Sequence, residues 1–95
     1  MQPDNVFDES VLAFTLETIG EKLIKLRKAK GYTSHAEFAF DNQLPRIQYW
    51  RMEKGLANIT LKSLHRVLTI HGLSIEEFFY TLYKEKTESS QPGNV

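Results

Sequence analysis

The apolar residues of this chain recur at three- and four-residue steps, and no stretch alternates apolar with polar for long enough to make a strand. That spacing confines the chain to helices. Leu12, Leu16, Ile19, Leu23 and Leu26 advance by 4, 3, 4 and 3, so they share one helix face. Asp8 or Ser10 can cap this helix at its start. Lys28 and Lys30 suit the negative end of its dipole, and Gly31 is a natural stop. Gly20 inside the pattern costs about 1 kcal/mol relative to Ala and is a candidate break into two helices.

Local punctuation divides the rest. Ser34 and Glu37 have capping-box spacing, in which the hydroxyl accepts from the Glu37 amide and the carboxylate reaches back. A short helix follows through about Asp41, anchored by Phe38. Asn42, Gln43 and Pro45 mark a tight turn, and Pro45 suits the start of a third helix over about 46–54. Asn58 or Thr60 caps a fourth helix whose Leu61, Leu64, Val67 and Leu68 form one apolar face, ending near Gly72. Ser74 and Glu77 form a second capping box before a fifth helix with Phe78, Phe79, Leu82 and Tyr83. From Glu85 the text turns polar, EKTESSQPGNV, and predicts a disordered tail over 85–95. The expectation is an all-α fold of five helices: an N-terminal extension, partly helical, over 1–18, a helix-turn-helix domain over 19–84, and that tail.

Composition excludes several kinds of chemistry. Cysteine is absent, so disulfides, thiolate zinc sites, iron–sulfur clusters and a cysteine nucleophile are ruled out. His65 and His71 lie six apart and do not share a helix face, and carboxylates do not gather around any histidine. The glycines stand singly, without a phosphate-cradling loop. We expect no enzyme, no cofactor and no metal. The acidic, polar start MQPDNVFDES is unlike a secretory signal, and no apolar run approaches the length of a membrane span, so the expected compartment is the cytoplasm, with no membrane partner.

Net charge is zero, but it is unevenly spread. Residues 1–19 sum to −4, residues 20–66 to +6 and residues 67–95 to −2. A basic middle between acidic ends points to a polyanion. A helical wheel locates the charge more closely. With Arg46 at 0° and about 100° per residue, Tyr49, Met52 and Glu53 fall near 300°, 240° and 340°. Arg46, Trp50, Lys54, Ile47 and Arg51 fall between about 0° and 140°. One side is set to pack. The other gathers three cations, an indole and an isoleucine, which fits a DNA major groove: Arg can bond guanine bidentately, Ile can touch a thymine methyl, and Lys can neutralise phosphate.

The runs GEKLIKLRKAKG, SHAEFA, RIQYWRMEKG and LKSLHRVLTIHGLSIEEFF, in this order, make residues 20–79 resemble the lambda-repressor-like, Cro/C1-type (XRE) helix-turn-helix domain. The resemblance implies a recognition helix starting at Arg46, with Arg46, Ile47, Trp50 and Arg51 reading bases. It places Ser34, His35, Gln48, Lys54 and Asn58 against DNA phosphate, with His35 where the family commonly has Gln. It implies a small core of Phe38, Ala39, Tyr49 and Met52, and a salt bridge between Arg27 and Glu53. Gln43 stands where the family's turn usually has Gly. A positive φ costs more for Gln, so Asn42 is the residue expected in the left-handed region.

The function implied is a sequence-specific DNA-binding transcriptional regulator, repressor-like or antitoxin-like, acting on double-stranded DNA. The alternative is a protein-interaction module of the same fold that does not use DNA. Val11, Leu12, Ala13 and Phe14, together with Tyr80, Leu82 and Tyr83, add apolar surface beyond the family core, which predicts a homodimer. A protein partner such as a toxin is a further expectation.

Overall fold

The computed structural model describes residues 8–90, the side chains of 86–90 excepted. Five α-helices follow one another: α1 (Glu9–Ala29), α2 (His35–Asp41), α3 (Arg46–Glu53), α4 (Leu61–Ile70) and α5 (Ile75–Ser90). No strand occurs among the described residues. The fold is all-α. It forms two compact units, divided between Ile59 and Thr60. The first holds α1, α2 and α3; the second holds α4 and α5.

In the first unit, α1 starts at Asp8, whose carboxylate accepts from the Ser10 amide at 2.9 Å. The Ser10 hydrogen bonds hold the Asp8 pKa below the usual carboxylate value. The helix then runs unbroken for 21 residues. Gly20 does not divide it. A Cβ at Gly20 would overlap the main-chain carbonyls of Glu53 and Met52, so the bare Cα is what lets the end of α3 lie against α1. The expected break is therefore a site of close helix approach. Ile19, Leu23, Phe38, Ala39, Leu44, Tyr49 and Met52 are buried. Phe38 packs edge-on against Tyr32, with ring centroids 5.3 Å apart, and obliquely against Tyr49 at 5.1 Å. Three successive segments thus meet on one ring.

Arg27 and Glu53 meet inside this unit. Arg27 Nε donates to Glu53 Oε2 at 2.7 Å and Nη2 to Oε1 at 3.0 Å, with both residues buried. Nη1 donates to the Tyr32 carbonyl at 3.1 Å, holding the turn after α1. The hydrogen bond to Glu53 raises the Arg27 pKa further. Tyr49 packs nearby; burial, reinforced by the Glu53 carboxylate, pushes its phenol well above the ordinary tyrosine value.

The turns share one device. After α1, α2, α3 and α4 the chain enters the left-handed region at Gly31, Gln43, Gly55 and Gly72. In each case the next amide donates back into the helix, as Leu44 does to the Ala39 carbonyl at 2.8 Å. This is the Schellman ending, which satisfies the last carbonyls. At the α2–α3 turn the left-handed residue is Gln43, with φ of 57°, and not Asn42. Asn42 stays near the helical region because its Nδ2 donates to the Phe38 carbonyl at 2.8 Å and its amide also turns back into α2. The strained position is then the one after it.

Ser34 caps α2, accepting from the Ala36 and Glu37 amides. The reciprocal bond expected from Glu37 is absent among the described residues; its side chain stays exposed. In the second unit the box is complete: Ser74 accepts from the Glu77 amide at 3.0 Å and donates its own amide to Glu77 at 2.9 Å. Thr60 caps α4. Leu64, Val67, Leu68 and Phe78 are the buried residues of this unit among those described. Helix α5 runs to Ser90, past the Glu85 boundary, because Lys84, Glu85 and Lys86 are good helix formers. Residues 91–95 of the expected tail lie outside the described residues.

Three single variants and one double variant test this packing in chemical denaturation. Gly20→Ala is expected to lose about 1–3 kcal/mol, since the overlap is with main chain and outweighs the roughly 1 kcal/mol gain in helix propensity. Gln43→Gly is expected to gain about 1 kcal/mol by removing left-handed strain. Arg27→Met alone should lose about 3–5 kcal/mol, because it strands a buried carboxylate; combined with Glu53→Leu the loss should shrink. A double variant as unstable as the single one would show that the pair itself supplies the stability.

Candidate nucleic-acid interface

All residues proposed from the sequence to meet DNA lie in the first unit. Helix α3 supplies most of them. It has no side-chain cap; Pro45 precedes it with φ of −61°, already suited to a helix start. Tyr49, Met52 and Glu53 turn inward. Arg46, Ile47, Gln48 and Arg51 are exposed, and Lys54 is exposed at the C-cap. Ile47 is 61% exposed. Trp50 is half-buried and so sits at the edge between the packed and open sides.

The electrostatics follow from Glu53. It is the only carboxylate of α3, and it is turned into the unit against Arg27. The open side keeps Arg46, Arg51 and Lys54 without an acid from the same helix. A polyanion would meet three cations and an isoleucine there.

The positions outside α3 are less uniform. Ser34 is half-buried, and its oxygen is committed to capping α2, leaving only its O–H proton to donate. His35, the first residue of α2, is also half-buried. Asn58 is exposed on the segment joining α3 to α4. Arg51 makes a contact not foreseen from the sequence: its Nη2 donates to the Leu56 carbonyl at 3.1 Å. No side-chain pattern signals it, because the acceptor is main chain beyond the helix. Among the described residues no cluster of His, Cys, Asp or Glu could hold a metal ion, and no helix is long and apolar enough to cross a membrane.

No family model matches the chain, and no solved structure does. Among curated proteins it is similar to the control protein C.MunI of Mycoplasma sp. The two are 36% identical over 66 residues, which covers 70% of this chain and 89% of the relative. The chain belongs to the family of this control protein.

Proposed function

We propose that the protein is a sequence-specific DNA-binding transcriptional regulator of the lambda-repressor-like, XRE helix-turn-helix type, working in the cytoplasm. Helix α3 is the proposed reader of the major groove. The observation that carries this is its open side, where Arg46, Ile47, Arg51 and Lys54 stand exposed while the helix's only acid is turned away. Likeness to a protein named for control supports the regulatory role. Arg46 and Arg51 supply bidentate donors for guanine, and Ile47 and Trp50 supply apolar contact for thymine methyls. Lys54, Gln48, Asn58, Ser34 and His35 are proposed to position the protein on phosphate. Repressor-like and antitoxin-like roles share this contact. They differ in whether a protein such as a toxin also binds.

A homodimer is the proposed working form. Val11 and Phe14 on α1 are 61% and 53% exposed, and Tyr80 and Tyr83 on α5 are 63% and 70% exposed; each pair is apolar surface that a second copy could cover. Two symmetric copies would present their reading helices about 34 Å apart, one turn of DNA.

Binding measured by polarisation on selected duplexes, at low and high salt, tests the reading. Arg46→Ala is expected to cost about 1–3 kcal/mol on the preferred site and to blur the preference at one base pair. Lys54→Ala should weaken all sequences alike and lower the salt slope by about one. Parental affinity in the Arg46→Ala, Arg51→Ala double variant would remove α3 as reader and favour a protein-interaction module. Light scattering at high micromolar concentration should give a dimer mass; a monomer mass would remove the dimer.

A further inference from the structure

Two bonds join Arg51 to Leu56. The guanidinium Nη2 donates to the Leu56 carbonyl at 3.1 Å, and the Leu56 amide donates to the Arg51 carbonyl at 2.9 Å. Together they close a ring between the last turn of α3 and the loop beyond it. Gly55 aims that loop. Its φ of 70° turns the chain directly after Lys54. It also lies so close to α1 that a Cβ would come within 2.9 Å of the Glu17 Cα. The loop thus lies close against α1, and Gly55 and Leu56 link that close approach to one guanidinium on the open side of α3.

Resting on the DNA reading above, we infer that the Leu56 carbonyl is a positioning group for recognition: it sets the Arg51 guanidinium before DNA arrives and makes Arg51 a preorganised reader of guanine. Nη2 carries two N–H groups. Whichever one the carbonyl takes, one two-donor edge stays whole, either Nε with Nη2 or Nη1 with Nη2. Such an edge matches O6 and N7 of guanine. Part of the side-chain freedom that binding would remove is already gone in the free protein. Arg46 makes no comparable bond among the described residues, so it provides an internal reference.

The test uses the full chain with Ala57 replaced by lactic acid. This turns the Leu56 carbonyl into an ester, a weaker acceptor, and alters no charge. The probe is a duplex selected with the parent protein. The base pair assigned to Arg51 is the one whose preference Arg51→Ala abolishes. At that pair the ester variant should lose about two- to threefold in discrimination, a part of the value of one net hydrogen bond, because the ester still accepts weakly. Its salt slope should stay parental, because no cation is lost. Nitrogen NMR of the free parent should show the Arg51 guanidinium rotating more slowly than that of Arg46, which decides the tether even if the ester chain folds poorly. Equal rotation of the two guanidinium groups, or parental discrimination in a folded ester variant, overturns the inference and leaves the DNA reading standing. A parent that selects no duplex overturns the DNA reading, and this inference with it.

Discussion

The buried contact between Arg27 and Glu53 acts on both sides of α3. Inward, two parallel hydrogen bonds fasten the end of α1 to the end of α3, and a third from the same guanidinium holds the Tyr32 carbonyl in the turn between α1 and α2. Desolvating two charges opposes such a pair, and a fork of matched donors and acceptors is the geometry that can offset this. Outward, the pair withdraws the helix's only carboxylate from the open side. The same interaction that closes the first unit therefore leaves α3 cationic where it meets solvent.

The pair joins two elements whose backbones come close. Gly20 and Gly55 are where they do so: a Cβ at the first would overlap the end of α3, and one at the second would press on the main chain of α1 at Glu17. Around these points the backbones lie close, with Ile19, Leu23 and Met52 buried in the same unit. The helix-interior glycine thus has a packing role that outweighs its poor helix propensity.

A helix held in this way can present a fixed outer surface despite its short length. Eight residues would be marginal as an isolated helix. Here the inward face is fixed by burial and by Phe38 packing on Tyr49, and the C-terminal turn is closed by the Leu56 amide. The exposed side chains can then differ in sequence without disturbing the fold, which is how one architecture serves many binding sites.

Helix number, order and approximate limits, apart from the end of α5, were legible in the residues because their signals are local. The three-to-four spacing, the Ser34, Thr60 and Ser74 caps and the glycines at helix ends act within a few positions of themselves. The inward and outward sides of α3 were legible too, since one helical period places Tyr49, Met52 and Glu53 together. Other features required the fold. Gly20 reads as a break until the main chain of α3 lies against it. Gln43, not Asn42, takes the left-handed turn because the Asn42 side chain finds the Phe38 carbonyl. The Arg51 tether depends on a carbonyl aimed by Gly55 against α1. The sequence by itself determined which segments are helical and which of their faces are apolar. Only the tertiary structure decided how backbones approach and where main-chain carbonyls point, because those atoms are the same in every residue and leave no mark in the pattern of side chains.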